Sequence, residues 1–266
     1  MDTNKNLYTV IYATLMVVVV AVVLAFASSL LKERQQRNVE IERKQMILRS
    51  VHLAKDASEA ADKDSYIENE YAKFITDSSI TENGKELTLY ICKKESDNIY
   101  YIIPLRGTGL WGPVWGYISL KNDFNTIYGA TYDHKSETPG LGAEITTDLF
   151  CKQFEEKKIF DNKGEFVSVK VVKGGAKADN LHEVDAISGG TITSKAVESM
   201  IYDNIIEYTN FFSAKLKALR ELEERKAIEA QRAEMEAQAK AQATADSLAK
   251  AEARRRYRIS QQNNIN

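Results

Sequence analysis

The feature that most constrains this chain is an uncharged apolar run near its N-terminus, from Leu7 to Leu31 (LYTVIYATLMVVVVAVVLAFASSLL). A helix rises about 1.5 Å per residue, so a run of this length exceeds the roughly 30 Å hydrocarbon core of a bilayer. It is longer than the apolar region of a cleavable signal peptide, and it lacks the polar face of a helix in a soluble domain. We therefore predict an uncleaved transmembrane anchor over residues 1–31, in contact with the lipid bilayer.

The basic residues that flank the run bear on its orientation in the membrane. Lys32, Arg34 and Arg37 follow the run, whereas only Lys5 and the terminal amine precede it. Basic residues are enriched on the cytoplasmic side of a membrane span, so this count favours a cytoplasmic position for the rest of the chain. The excess is only a few charges, and the family resemblance given below implies the opposite side.

The composition argues against two broad classes of function. The chain has 36 Lys and Arg against 38 Asp and Glu, a formal net charge of −2, so no positive field favours a nucleic-acid partner. Its two cysteines, Cys92 and Cys151, are too few for a disulfide framework or a CxxC site, and its three scattered histidines lack the spacing of metal ligands. We predict no nucleic-acid binding and no resident metal. We interpret the two cysteines as quiet buried thiols, and the sequence leaves open whether they pair.

Beyond the anchor, residues 32–75 are charged, with apolar residues at helical intervals, and this pattern predicts a juxtamembrane helical segment. From Glu86 to His134 the sequence changes to short runs rich in β-branched and aromatic residues. Clusters of turn-forming residues separate these runs, one of them at Glu95 to Asn98. Such alternation predicts an antiparallel meander of strands.

The rest of the chain predicts helices beside this sheet. Helical spacing at 146–158, a strand-like alternation at 165–172 and a long apolar stripe after Thr193 complete an α+β domain, which we assign to residues 76–212. Residues 213–266 are rich in Ala, Glu, Lys, Arg and Gln and predict a long, charged C-terminal helical tail. The tail lacks a sustained heptad seam, so a solvated helix and a partner-binding coiled coil both stay open.

Two glycine-rich motifs suggest ligand binding. The first, Gly107 to Gly112, matches GxGxxG, but Pro113 and the residues after it predict another strand and not the helix that a dinucleotide site requires. We therefore interpret it as a hairpin loop that displays Trp111. The second motif, Ser188 to Thr193 (SGGTIT), stands before the apolar stripe of a helix, where glycines and free N–H groups suit a phosphate. The alternative from the residues alone is an ordinary Ser/Thr helix cap, with Thr193 or Ser194 accepting the first helical N–H groups.

The run from Asp185 to Thr193 resembles the flavinylation motif of FMN-binding-domain proteins, Ser/Thr-Gly-Ala-Ser/Thr-x-Thr, in which the last threonine carries FMN through a phosphoester. Two upstream stretches, 109–112 (GLWG) and 134–142 (HKSETPGLG), resemble further signatures of one branch of this family, the C subunits of the sodium-translocating NADH:quinone reductases. The order of the motifs along residues 1–212 is also that of the branch. Gly190 departs from the family, which usually has alanine at this position.

The resemblance implies that Thr193 carries covalent FMN. A threonine hydroxyl is a poor nucleophile unless a base activates it. No such base is obvious nearby in the sequence, so attachment would need the family's flavin transferase, with FAD as donor and magnesium. The resemblance further implies a phosphate and ribityl wall before Thr193, and upstream residues that border or cover the isoalloxazine ring. The cofactor-binding residues that it implies are Thr193, Ser188, Gly189, Gly190, Thr191, Ile192, Asp185, Trp111, Glu137, Thr138, Leu141 and Gly142.

Several of these residues have a structural alternative that depends on no ligand. Asp185 is equally typical of a turn, and Glu137 to Gly142 is equally typical of a surface Pro-Gly turn. Trp111 could lie in the core, and we interpret His134 as structural. The sequence alone does not choose between these roles.

The function that the resemblance implies is electron transfer by a membrane-anchored flavoprotein, in which the cofactor and not a side chain supplies the redox chemistry. Such a subunit relays electrons from an iron–sulfur centre to another flavin subunit of a sodium-pumping NADH:quinone oxidoreductase. Its partners are the other subunits of that respiratory complex, and it lies in the bacterial inner membrane with the flavin domain on the periplasmic side. Two alternatives are the related flavin subunit of the ferredoxin:NAD oxidoreductase complex and a non-catalytic membrane adaptor whose helical tail recruits a partner.

Overall fold

The computed structural model describes residues 6–94, 98–177 and 179–263, so part of the turn predicted at Glu95 to Asn98 lies outside the described residues. The chain divides into two compact units, Met1–Phe212 and Ser213–Asn266. The helices are α1 (Asn6–Ser50), α2 (Lys63–Phe74), α3 (Asp148–Lys152), α4 (Thr191–Ile205) and α5 (Thr209–Asn263). The strands are β1 (Ile75–Glu82), β2 (Lys85–Lys93), β3 (Ile99–Thr108), β4 (Pro113–Leu120), β5 (Ile127–His134), β6 (Lys170–Val172) and β7 (Glu183–Asp185).

Strands β1 to β5 form one antiparallel sheet in which each strand pairs with its neighbour in sequence. The predicted α+β class and antiparallel meander are confirmed. The sequence patterns missed β1 (ITDSSITE), because its six other residues are polar and only its two isoleucines are apolar. Pairing along its whole length with β2 stabilises this edge strand in place of strong local propensity.

Two predicted elements are shorter than their patterns indicate. The helix predicted over 146–158 is regular only in α3, because after Lys152 the N–H groups of Phe154 and Glu155 bond three residues back, in turns. Glu156 then adopts a φ of 63° and donates its N–H to the carbonyl of Ile127 at the start of β5. The strand predicted over 165–172 is regular only in β6, because Ser168 has a φ of 58°. Strand β6 pairs in parallel with β7, and this pair leads into the segment before α4.

Helix α1 runs without a break from the apolar run to the sheet. An 18-residue window of it has a mean hydropathy of 2.9, and that window is fully exposed, so length and composition suit a membrane span. The other end of α1 is buried, with Ile47 and Leu48 fully covered. Its last carbonyl, that of Ser50, accepts a hydrogen bond of 2.6 Å from the hydroxyl of Ser119 in β4. The same helix therefore contains the apolar run and the contact with the sheet.

Helix α4 lies along β3, and two contacts fix its position. The side-chain amide of Asn204 donates to the carbonyl of Arg106 (2.9 Å) and its oxygen accepts from the N–H of the same residue (3.4 Å). Gly107 lets the helix approach, since a Cβ there would lie 2.8 Å from the Cβ of Met200. This packing holds the N-terminus of α4 next to the loops that follow β3 and β5.

The second unit consists of the remainder of α5. Its described side chains from Glu221 to Arg255 are exposed, including the apolar residues Leu222, Ile228, Met235 and Leu248. The predicted long helical tail is confirmed as a helix.

Gly129 tests the docking of α1 on the sheet. A Cβ at this position would overlap the carbonyl oxygen of Ser50, which is backbone and cannot rotate away. We expect Gly129→Ala to lower the free energy of unfolding by about 1–3 kcal/mol, the usual cost of overpacking. Gly112→Ala is the matched control, because its Cβ would meet only ordinary contacts of 3.5 Å or more. Urea unfolding of the detergent-solubilised chain, followed by tryptophan fluorescence, measures both; equal stability of the two variants would contradict the docking argument.

Candidate functional site

The site is built on a buried hydrogen bond between Thr193 and Glu137. Thr193 lies in the first turn of α4 and is 1% exposed, and Glu137 lies in the loop after β5 and is 5% exposed. The Thr193 hydroxyl donates to Oε2 of Glu137 over 2.6 Å. This contact joins two motifs that the sequence separates by 56 residues.

The other carboxylate oxygen of Glu137 binds the loop between β3 and β4. Oε1 accepts the main-chain N–H of Trp111 at 2.9 Å, and the N–H of Leu110 adds a further hydrogen bond to the carboxylate. The N–H of Glu137 donates to Nδ1 of His134 at 3.1 Å, so this histidine positions the carboxylate-bearing residue. Three segments therefore meet at one carboxylate.

The charge state of Glu137 follows from these contacts. Burial alone would raise its pKa, but the hydrogen bonds from Thr193, Trp111 and Leu110, together with nearby His134, outweigh burial and hold the pKa below its usual value. Glu137 is thus an ionised carboxylate at neutral pH with the Thr193 hydroxyl as a donor.

Two glycines give this pair its space. A Cβ on Gly109 would lie 2.5 Å from Oε1 of Glu137. A Cβ on Gly142 would lie 2.5 Å from Oε2 of Glu137 and would also overlap the hydroxyl of Thr193. Both glycines belong to the motifs identified in the sequence, and the structure explains them as residues whose missing side chains admit the carboxylate.

The loop at Leu141 covers the glycine turn before α4. Gly189 has a φ of 77°, and a Cβ there would lie 2.6 Å from Cδ2 of Leu141. A Cβ on Gly190 would lie 3.0 Å from the carbonyl oxygen of Leu141. Leu141 is still 42% exposed, so one side of it contacts the turn and the other faces solvent.

Helix α4 begins with free main-chain donors. Its N-cap is Gly190, and in the described chain no side chain forms a cap hydrogen bond there. The alternative of an ordinary hydroxyl cap is wrong: Thr193 donates to Glu137, and Oγ of Ser194 accepts the N–H of Ile187. The N–H groups of the first helical turn precede the first intrahelical bond, made by Ser194 to Gly190, and are free to bind an anion.

An apolar surface adjoins the pair. It comprises four exposed side chains, each within or beside a segment that contacts Glu137, Thr193 or the glycine turn, and we call it the apolar collar: Leu110, Trp111, Leu141 and Ile192. Trp111 is 65% exposed, so the alternative of a core tryptophan is wrong. Exposed apolar side chains gathered at one place are typical of a binding surface for a flat, apolar group.

The remaining predicted residues lie around this centre. Ser188 is exposed, Thr191 is half-buried, and Thr138 is exposed, with its carbonyl accepting the N–H groups of Leu141 and Ala143. Asp185 stands apart from the pair in its contacts: its carboxylate accepts the N–H of Ala176, and its own N–H donates to the side chain of Gln153. These contacts are those of a turn-stabilising residue.

The cysteines lie outside the site. Both are free thiols, Cys92 buried and Cys151 partly buried, and burial raises the pKa of each to about 11. Thiols with such pKa values are poor nucleophiles at neutral pH.

Comparison with known proteins agrees with this geometry. The family model for the FMN-binding domain matches residues 109–205, which contain the carboxylate, the hydroxyl and the collar. Curated relatives include the C subunit of the Na(+)-translocating NADH-quinone reductase of Vibrio anguillarum, 40% identical over 110 residues, which cover 41% of this chain and 43% of that protein. The C subunit of Neisseria meningitidis serogroup B is 42% identical over 120 residues, covering 45% and 46% of the two chains. The alignments thus span about half the length of these curated relatives.

A solved structure extends the match. The crystal structure of the C subunit of the Na(+)-translocating NADH-quinone reductase of Parabacteroides distasonis is 38% identical, has a TM-score of 0.60 and is matched over 96% of its chain and 68% of this one. The chain belongs to this family of NADH-quinone reductase C subunits. The Shewanella oneidensis NqrC structure, 22% identical with a TM-score of 0.55 and covered over 99%, shares the fold.

Membership of this family confirms the predicted FMN-binding domain. The residues present suit FMN: an uncapped helix end offers donors to its phosphate, and the apolar collar offers contact to its ring. Sequence reasoning did not find the contact of Glu137 with Thr193, and its expectation that Glu137 borders the ring stays a prediction. The only sequence signal for this contact is a carboxylate that directly precedes a Thr-Pro-Gly-Leu-Gly loop.

The low pKa of Glu137 predicts a pH-dependent contribution to stability. A carboxyl whose folded pKa is lowered stabilises the fold above its unfolded pKa of about 4.3, and this contribution is lost as the pH falls through the folded pKa. We expect Glu137→Gln to be less stable than the unmodified wild-type chain at pH 7. The difference in unfolding free energy should shrink as the pH falls from about 6 to 3. A difference that stays constant over this range in urea unfolding would refute the assignment.

Proposed function

We propose that this chain is the covalent FMN carrier of a sodium-pumping NADH:quinone oxidoreductase, with Thr193 as the attachment residue. The observation that carries the proposal is the position of this hydroxyl, in the first turn of a helix without a side-chain cap, held by Glu137 at 2.6 Å. Family membership supports FMN and favours the sodium-linked complex over the ferredoxin-linked alternative. The non-catalytic adaptor needs the turn to be a plain hydroxyl cap, and it is not.

The residues around Thr193 suit the parts of FMN in order. An esterified phosphate keeps a negative charge, which the N–H groups and dipole at the start of α4 stabilise. We assign Ser188 to Ile192 to the phosphate and ribityl chain of FMN. Gly189 and Gly190 have no side chains, so the backbone at these two positions can approach the ligand closely. Trp111 and Leu141 are assigned to the ring by apolar contact, with Thr138 beside them as a hydrogen-bonding hydroxyl.

The flavin, when bound, supplies the electron transfer, and the protein supplies attachment and orientation. In this proposal electrons reach the subunit from an iron–sulfur centre and pass to another flavin subunit of the complex. The exposure of the collar supports such a relay, because a ring that lies on exposed residues can be approached by more than one partner.

We infer that residues 1–31 anchor the subunit in the inner membrane and that the flavin domain lies on the periplasmic side. The unbroken helix supports a fixed arrangement: residues 32–40 are exposed, and burial against the domain begins at Ile41. At about 1.5 Å per residue, such a segment holds the domain on the order of 15 Å from the end of the apolar run. Residues 32–75, 76–212 and 213–266 then serve as support, flavin domain and tail.

Attachment is assigned to a flavin transferase that uses FAD and magnesium. Asp185 is exposed and is the first residue of the run that resembles the flavinylation motif, and this position supports a role in recognition by that enzyme.

Intact-protein mass tests attachment at Thr193. After co-expression with a flavin transferase, we expect the wild-type chain to gain the mass of FMN less one water, and Thr193→Ala to gain none. Thr209→Ala is the control, because this threonine lies beyond the other end of α4, where its hydroxyl donates to the carbonyl of Ile206. An unmodified wild-type chain, or a modified Thr193→Ala chain, would refute the proposal.

Reporter fusions test the topology. Alkaline phosphatase fused after Asn266 should be active and a green fluorescent protein fused there dark, because the first folds in the periplasm and the second in the cytoplasm. The reverse pattern would place the flavin domain with the basic residues on the cytoplasmic side.

A further inference from the structure

We propose that Glu137 accepts the proton of the Thr193 hydroxyl when FMN is attached. The inference depends on the proposed attachment at Thr193 and gives this chain, and not only the transferase, a part in the reaction. A hydroxyl needs a base to become a nucleophile, and a base must lie within hydrogen-bond reach of the proton that it takes.

The geometry already joins nucleophile and base. The hydroxyl of Thr193 points at Oε2 of Glu137 over 2.6 Å, and both side chains are at least 95% covered. The carboxylate cannot turn freely, since Oε1 is bound to the N–H of Trp111. Of its two oxygens, Oε2 is thus the one presented to the proton.

The charge of Glu137 suits a base before the reaction. Its hydrogen bonds keep its pKa below the usual value, so it is ionised and able to take a proton. The titratable side chain that faces it is His134, at the end of β5; the β3–β4 loop contributes main-chain N–H groups and α4 contributes Thr193.

The product supplies a second argument. Once Thr193 is esterified its oxygen has no proton, so an ionised Glu137 would place a second acceptor within 2.6 Å of it in a buried position. A negatively charged phosphoester nearby would add repulsion between like charges. If Glu137 keeps the transferred proton, the carboxyl becomes a donor and both conflicts disappear.

The step balances without an oxidant. The bond from Oγ of Thr193 to the FMN phosphorus of FAD forms, and the bond from that phosphorus to the oxygen of AMP breaks. AMP leaves with the bonding electron pair, and the hydroxyl proton moves to Glu137. FAD, supplied with magnesium by the transferase, is the only co-reactant.

Burial of the Thr193 hydroxyl does not prevent this reaction, because Glu137 and the loop residues that follow it are held by different contacts. Glu137 is held by the N–H of Trp111 and by Nδ1 of His134. The exposed part of the loop is Pro139 to Leu141, which includes Gly140 at a φ of 73° and places Leu141 against the glycine turn before Thr193. Movement of this part would admit the phosphate while Glu137 stays on Thr193.

The test is the rate of modification by one purified transferase, with FAD and magnesium, from pH 6.5 to 9. Flavinylated chain is quantified by intact mass. We expect Glu137→Gln, which keeps an acceptor oxygen but is a very weak base, to be modified on the order of 10²-fold more slowly than wild type near pH 7. The wild-type to variant rate ratio should fall as the pH rises, because the variant must lose its proton to solvent and hydroxide. Any titration of the transferase itself affects both chains equally and cancels from this rate ratio.

Two control variants keep the outcomes distinct. Glu86→Gln makes the same change at a carboxylate that also accepts a hydroxyl hydrogen bond, from Ser79 across strands β1 and β2, and that lies outside the site, so a wild-type rate is expected. Glu137→Asp keeps a carboxylate on a shorter side chain and should give an intermediate rate with the wild-type pH profile. If circular dichroism shows that Glu137→Gln is unfolded, Glu137→Asp takes its place in the comparison. A rate for Glu137→Gln within twofold of wild type, or a ratio that does not change with pH, would overturn the proposal. Absence of modification in the wild type would instead refute attachment itself.

An infrared measurement gives a second readout. Flavinylated wild type should show the C=O stretch of a protonated carboxyl. The unmodified chain should lack this band, and flavinylated Glu137→Asp should show it at a different frequency. An ionised Glu137 in the modified chain, at neutral pH, would contradict retention of the proton.

Discussion

The hydrogen bond between Glu137 and Thr193 is the interaction on which the site depends, since it joins parts of the chain that local structure cannot join. One carboxylate binds the N-terminal turn of α4 through one oxygen and the loop after β3 through the other. Removing the carboxylate would leave buried donors without a partner, at a cost of about 1–3 kcal/mol for each. Gly109 and Gly142 stand where a side chain would separate these groups.

The same strands connect this site to the apolar helix. Gly129, near the start of β5, lies against the last turn of α1, and His134, at the end of β5, binds the N–H of Glu137. At about 3.4 Å per residue, five residues of strand separate the helix contact from the site by roughly 17 Å. A cofactor attached at Thr193 would therefore be held by a rigid path of helix, strand and loop, so its height above a membrane would be set by the fold.

Local patterns predicted the elements whose sequence signal is strong and missed those set by distant contacts. The apolar run, the hydrophobic strands β2 to β5 and the stripe of α4 were evident, because their periodicity reflects the face that each buries. Strand β1 is polar and forms by pairing with β2, and the backbone at Glu156 and Ser168 shortens two elements in a way that no periodicity reveals. In the site, motifs identified the residues but not the bond between Glu137 and Thr193, because no spacing rule relates positions 56 residues apart.

The departure at Gly190 has a physical meaning that the motif alone does not give. Its φ of −107° is open to any residue, so the backbone does not require glycine, and alanine would fit by conformation. A Cβ would nevertheless lie 3.0 Å from the Leu141 carbonyl and 3.0 Å from Cγ2 of Ile187, so both neighbours would have to move by a few tenths of an ångström. With alanine at this position, the loop would sit slightly farther from the turn. Glycine therefore lets Leu141 close more tightly over the turn before Thr193, at the cost of greater backbone freedom in the unfolded chain.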